Sequence, residues 1–157
     1  MPFGSSSITN KFVNRNRKSP NIELGTEVRQ CTAPKRLLIV EDNNLNRLML
    51  NDYLSFCGYQ VLSLANGANF FDELASFQPH LILLDLKLPD IDGYVLLEQM
   101  QRNVQWRKIP VIIVSAFAFK SDRQRALNLG ACQYFIKPVN LTELKQSIYQ
   151  EITIRST

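Results

Sequence analysis

The sequence predicts an α/β fold, a doubly wound five-stranded parallel sheet with five helices. Three observations carry that prediction. Five apolar runs of about four residues recur after Pro34, segments with helical periodicity separate them, and three of the runs are apolar throughout. Continuous apolar strands belong to parallel sheets covered on both faces, whereas a sheet with one wet face alternates apolar and polar residues. Strands alternating with helices then imply right-handed crossovers and helices on both sides of the sheet.

The predicted strands are Leu37-Leu38-Ile39-Val40, Val61-Leu62-Ser63-Leu64, Leu81-Ile82-Leu83-Leu84, Val111-Ile112-Ile113-Val114 and Tyr134-Phe135-Ile136. In the first intervening helix Leu45, Leu48, Met49, Tyr53 and Phe56 share one face, expected to be the core face, and Gly58 supplies a left-handed stop. The second runs from about Ala68 to Phe77 and is ended by Pro79. The third begins near Gly93 and carries Val95, Leu96, Leu97 and Met100. The fourth spans Ser121 or Asp122 to Leu129 with Gly130 as its stop. The fifth opens with Asn140 as N-cap and Glu143 three residues on, then stripes Leu141, Leu144, Ile148 and Ile152 along one face.

Residues 1–34 stand outside this pattern. They are rich in Ser, Asn, Thr, Arg and Lys, and Phe3, Ile8, Phe12 and Val13 are isolated. Such a stretch offers too little apolar surface to offset its ordering entropy, so a flexible polar and basic extension is expected. The organisation is therefore an extension at 1–34, one domain at 35–154 and a short tail at 155–157. The extension has five basic and two acidic side chains and the remainder thirteen and twelve, so the net charge of +4 lies mainly in the extension. Lys11, Arg15, Arg17 and Lys18 read as a solvated tail more readily than as a contact for an acidic partner.

Composition excludes several classes of function. With 45% apolar and 20% charged residues among 157, the chain is neither collagenous nor wholly disordered, and a globule of this size buries roughly 70% of its unfolded surface. No apolar run approaches the roughly 20 residues of a membrane span, and no secretory leader is visible, so a cytoplasmic protein without membrane insertion is expected. Cys31, Cys57 and Cys132 are widely spaced and odd in number, which suits reduced thiols and neither a disulfide frame nor a zinc site. His80, the sole histidine, follows Pro79 at the edge of a strand and has no nucleophile beside it. Arg107, Lys108, Arg123 and Arg125 accompany no nucleic-acid motif, and direct DNA binding is not expected.

The polar residues that remain cluster where chemistry is expected. In an open parallel sheet, ligands bind beyond the carboxyl ends of the strands, where strand order reverses. Glu41 and Asp42 follow the first predicted strand, Asp85 the third, Ser115 the fourth and Lys137 the fifth. With the order 2-1-3-4-5 these strands are neighbours, and the five side chains converge on one rim. Three crowded carboxylates raise one another's pKa unless a cation joins them. Mg²⁺ prefers oxygen ligands and is typically held by one or two carboxylates together with phosphate oxygens. The rim therefore suits a phosphoryl group, with Asp85 as a carboxylate nucleophile and Lys137 and Ser115 contacting the phosphoryl oxygens.

Four segments carry a resemblance: Leu-Leu-Ile-Val-Glu-Asp-Asn at 37–43, Leu-Leu-Asp-Leu-Lys-Leu-Pro-Asp-Ile-Asp-Gly at 83–93, Val-Ser-Ala at 114–116 and Tyr-Phe-Ile-Lys-Pro at 134–138. Over about residues 35–154 the chain resembles the response-regulator receiver family of two-component signalling, whose fold is flavodoxin-like. The resemblance implies that Asp85 is the phosphoacceptor, Asp42 the direct Mg²⁺ ligand, and Glu41 an acidic neighbour acting through metal-bound water. Lys87 would complete the metal site through its backbone carbonyl. Ser115 and Tyr134 match the switch hydroxyl and switch aromatic, Lys137 the phosphate-contacting lysine, and small Ala116 the phosphoryl access position. A cis Lys137-Pro138 bond is also implied. Glu41 stands where Asp is commoner, and Ser115 where Thr is equally usual.

The function implied is that of a stand-alone response regulator in a phosphorelay. It would catalyse its own phosphorylation and dephosphorylation without being an enzyme with a separate output domain, since the residues after Lys137 suffice only for a last helix. The implied partners are a sensor histidine kinase or histidine phosphotransfer protein, a downstream protein and, as one option, a second copy in a phosphorylation-dependent homodimer. The alternative is a pseudo-receiver, an interaction module that is not phosphorylated; the intact five-residue site opposes it. Ser115 is expected to lack a charge-assisted hydrogen-bond partner until a phosphoryl group arrives, and Tyr134 then to exchange an outward rotamer for a buried one. The face formed by the fourth helix, fifth strand and fifth helix is the expected output surface.

Overall fold

The computed structural model describes residues 32–157; Cys31 and nearly all of the 1–34 extension, including its four clustered basic residues, lie outside the described residues. Five strands and five helices alternate: β1 Arg36–Val40, α1 Asn44–Phe56, β2 Gln60–Leu64, α2 Phe70–Phe77, β3 Leu81–Leu84, α3 Gly93–Arg102, β4 Val111–Ser115, α4 Lys120–Asn128, β5 Gln133–Ile136 and α5 Leu141–Arg155. The strands form one sheet in the order β2-β1-β3-β4-β5, every pairing parallel. The predicted elements and their order are those found.

Alternation within the apolar strands explains why both sheet faces are dry. Leu38, Val40, Ile82, Leu84 and Ile113 point to one face and pack against Phe70 and Leu74 of α2, Leu97 and Met100 of α3 and Ala126 of α4. Leu37, Ile39, Leu81, Leu83 and Ile112 point to the other and meet Leu50 and Leu54 of α1 and Leu144, Ile148 and Ile152 of α5. Each large apolar side chain so buried contributes roughly 1.5–3 kcal/mol by transfer from water. Of the face expected for α1, Tyr53 packs against the core, and the rest is corrected. Leu45, Leu48, Met49 and Phe56 are exposed, Phe56 by 92%, whereas Leu50 and Leu54 are buried. This helix carries apolar residues on two faces, and the sheet meets the narrower set.

Local signals account for the helix ends. Asn43, Asp92 and Asn140 each accept a hydrogen bond from a first-turn amide of α1, α3 and α5, satisfying donors that a helix leaves free. Gly58 and Gly130 take φ +94° and +99° after α1 and α4. Gln78 ends α2 in the left-handed region, with Pro79 following it. No helix among the described residues is long and apolar enough to cross a membrane.

His80 belongs to the scaffold: its Nδ1 accepts the Arg36 N–H at 3.0 Å, and burial together with Arg36 and Lys35 lowers its pKa. Cys57 and Cys132 are free thiols. Cys132 donates to the Val111 carbonyl, and burial, with Glu151 nearby, pushes its pKa up to about 12. The thiolate is the reactive form. Cys132 is therefore expected to resist iodoacetamide at pH 8 in the folded protein and to react readily in urea, as read by peptide mass spectrometry.

Candidate phosphoryl and metal site

Backbone hydrogen bonds carry the ladder one residue past the strand ends and so deliver the rim residues. The Glu41 N–H donates to Leu64 O at 3.0 Å, the Asp85 N–H to Val40 O at 2.9 Å and the Lys137 N–H to Ser115 O at 2.9 Å. Side chains leaving at these points meet above the sheet. Carboxylate oxygens of Glu41, Asp42 and Asp85 all lie within 4.8 Å of one another. Glu41 and Asp85 are buried and Asp42 is exposed. The Lys137 ammonium lies 2.6 Å from Glu41 Oε2 and 2.7 Å from Asp85 Oδ2, bridging the two buried carboxylates. The Lys137-Pro138 bond is cis.

Among the described residues, one ammonium, that of Lys137, pairs with the carboxylates of the cluster. Burial holds the Glu41 pKa above the ordinary value despite hydrogen bonds from Lys137 and the Asn43 N–H. Burial opposes the charge on Lys137, but its bonds to Asp85 and Glu41 outweigh this and raise its pKa. The site is thus short of positive charge and lined by hard oxygen donors, a set that fits Mg²⁺.

The rest of the rim is held by backbone contacts. Asp85 Oδ1 accepts the Lys87 N–H at 3.1 Å, and Lys87 pairs with Asp92 in an isolated antiparallel bridge. Gly93 opens α3 against the end of β3: a Cβ added there would lie 2.5 Å from Asp85 O and 2.6 Å from Leu86 Cα. Phe117, Lys87, Asp92, Tyr94 and Arg125 line an open cleft of about 500 Å³ along the β3–α3 loop. Ala116 is exposed at the end of β4.

The expectation for the Tyr134 rotamer is corrected, and Ser115 is held by a neutral backbone contact. Ser115 already accepts a hydrogen bond at Oγ from the Phe117 N–H, at 3.2 Å. Tyr134 is inward, 8% exposed, and its hydroxyl donates to Phe117 O at 2.9 Å. The ring packs in the core and the hydroxyl finds a carbonyl, so the inward rotamer satisfies both ends of the side chain. Both side chains therefore hold the backbone of one residue, Phe117.

Several participants escaped the sequence reading. Asn43 both caps α1 and donates its N–H to Glu41 Oε1 at 3.0 Å. Asp90 accepts the Gly67 N–H at 3.0 Å, joining the β2–α2 loop to the β3–α3 loop. The Arg125 guanidinium lies 3.9 Å from the centre of the Tyr94 ring, whose hydroxyl donates to Asp122 O. Arg47 contacts the acidic loop, and no periodicity announces a side chain that reaches back to loop carbonyls.

Residues 37–149 match the response regulator receiver domain family. A polar-differentiation response regulator, DivK, from Brucella anthropi is 35% identical over 115 residues, covering 73% of this chain and 94% of that protein. Among solved structures, a CheY-like receiver domain protein from Methanospirillum hungatei aligns with a TM-score of 0.73 at 30% identity, covering 79% of this chain and 98% of that one. The receiver domain of a sensor histidine kinase from Pseudomonas aeruginosa, solved with a magnesium ion coordinated in its active site cleft, aligns with a TM-score of 0.70 at 30% identity, over 77% and 99% of the two chains.

Proposed function

The chain belongs to the response regulator receiver domain family, and from that premise we propose that it takes a phosphoryl group from a phosphohistidine donor onto Asp85 and thereby alters binding to a protein partner. The observation that carries this reading is the cluster of Glu41, Asp42 and Asp85 with Lys137 bridging two of them. Asp42 and Asp85, with Glu41 acting through water and the Lys87 carbonyl, would hold Mg²⁺. When bound, Mg²⁺ neutralises charge on the phosphoryl oxygens as they approach the carboxylates.

In the transfer, a carboxylate oxygen of Asp85 bonds to phosphorus as the bond from phosphorus to the donor imidazole breaks, and the imidazole nitrogen keeps the electron pair. Lys137 exchanges its contact with Asp85 Oδ2 for one with a phosphoryl oxygen. The Ser115 hydroxyl donates to another, a charge-assisted bond stronger than a neutral one. Because Ser115 and Tyr134 both hold Phe117, a shift of the Ser115 hydroxyl is passed to the β4–α4 loop and to the surface of α4, β5 and α5. The donor would be a sensor kinase or a histidine phosphotransfer protein in the cytoplasm, and the acceptor surface serves a downstream protein or a second copy.

The test is transfer itself. Incubated with a phosphorylated donor and Mg²⁺, the protein is expected to gain one phosphoryl group as the donor loses its own; retention of the label on every donor tried, and on acetyl phosphate, would sink the proposal. Lifetime is a second readout. Phe117 lines the cleft next to the β3–α3 loop, and the reading has its ring shield the acyl phosphate from water. Phe117→Ala is expected to shorten the phosphoryl half-life several-fold, and equal decay rates would discard the shield.

A further inference from the structure

The acidic pair at the end of β1 is presented by a loop of three residues, 41–43, and one side chain grips its backbone. Arg47 Nη1 donates to Glu41 O at 2.9 Å and to Asp42 O at 3.3 Å, while Nη2 donates to Asn44 Oδ1 at 2.8 Å. The two acids are fixed unequally. The Glu41 carboxylate is held at both oxygens, by the Asn43 N–H and by Lys137. Asp42 is exposed, and no described side chain bonds to its carboxylate. Its direction is therefore set by its backbone, which is where the guanidinium acts.

We propose that Arg47 is a positioning residue of the metal site, holding the carbonyls of Glu41 and Asp42 so that the Asp42 carboxylate faces Asp85. This rests on the reading of the acidic cluster as an Mg²⁺ site. The shape of the guanidinium is essential to the role: a planar fork reaches two successive carbonyls and a side-chain amide together, whereas a lysine is a single point charge. Loss of the fork frees the Asp42 backbone, and ordering it again on metal binding costs affinity. The electrostatic effect has the opposite sign. A cation near the cluster repels Mg²⁺, so if Arg47 acted by charge alone, its removal would tighten metal binding.

The experiment uses the full chain as wild type, Arg47→Lys and Arg47→Gln. Mg²⁺ is titrated by calorimetry, amide exchange of Asn43 and Asn46 is followed in EDTA, and Tm is measured alongside. Positioning predicts that the Mg²⁺ Kd rises in both variants, roughly 10-fold or more, in the range seen when partners of metal ligands are removed. It also predicts faster exchange at Asn43 and Asn46 without metal, and a Tm close to wild type. An unchanged Kd in Arg47→Lys, or a lower Kd in Arg47→Gln, overturns the proposal while leaving the metal site standing. Failure of the wild type to bind Mg²⁺ overturns the metal site and the proposal with it.

Discussion

Asp85→Asn is expected to abolish phosphoryl uptake while leaving the protein folded. The amide is nearly isosteric with the carboxylate but is a poor nucleophile, and it brings no negative charge to a metal or to Lys137. Structure should survive because Lys137 keeps Glu41 as its partner at 2.6 Å, and the Lys87 N–H can still donate to the amide oxygen. Removing one of three crowded carboxylates also relieves repulsion in the absence of metal. Uptake from acetyl phosphate is expected to fall below detection, with Tm in EDTA no lower than in wild type. Residual uptake at a substantial fraction of the wild-type rate would show that Asp85 is not the acceptor.

Gly93→Ala should have the largest effect on stability of any single methyl added to the site. The new Cβ would meet backbone atoms, Asp85 O at 2.5 Å and Leu86 Cα at 2.6 Å, and backbone cannot rotate out of the way. Either α3 lifts from the sheet or the chain at Asp85 moves. Overpacking commonly costs about 1–3 kcal/mol, and contact with backbone on two sides places this change near the upper end. A shift at Asp85 also misdirects its carboxylate, so phosphoryl uptake should slow in the fraction that remains folded. Gly58→Ala is the comparison. It adds a Cβ into open space and bears only the strain of φ +94°, of order 1–2 kcal/mol. Urea unfolding should rank Gly93→Ala below Gly58→Ala, and the reverse order would refute the close approach of α3 to Asp85.

The elements and their order were legible because each carries its own local signal. Leu81-Ile82-Leu83-Leu84 is apolar on both faces since two helical layers cover it, and Asn140 with Glu143 marks the start of α5 before any contact is known. The gathering of Glu41, Asp42, Asp85 and Lys137 was legible because strand ends in a parallel sheet share one rim. Where several patterns coexist in one segment, the reading went astray. In α1 the set Leu45, Leu48, Met49 and Phe56 has the same periodicity as Leu50 and Leu54, and only the position of the sheet decides between them. The holding contacts were invisible for another reason. Arg47, Asp90 and Tyr134 act on carbonyls and amides of distant or irregular segments, and backbone groups are present at every position of any sequence.

The most direct test of the account is to locate the acyl phosphate. After reaction with acetyl phosphate and Mg²⁺, borohydride reduction converts a phosphoaspartyl residue to homoserine, which tandem mass spectrometry places in the sequence. The account predicts homoserine at position 85, dependent on Mg²⁺ and lost on addition of EDTA before the phosphodonor. Homoserine at another aspartate, or modification of Asp85 that is indifferent to EDTA, would contradict it.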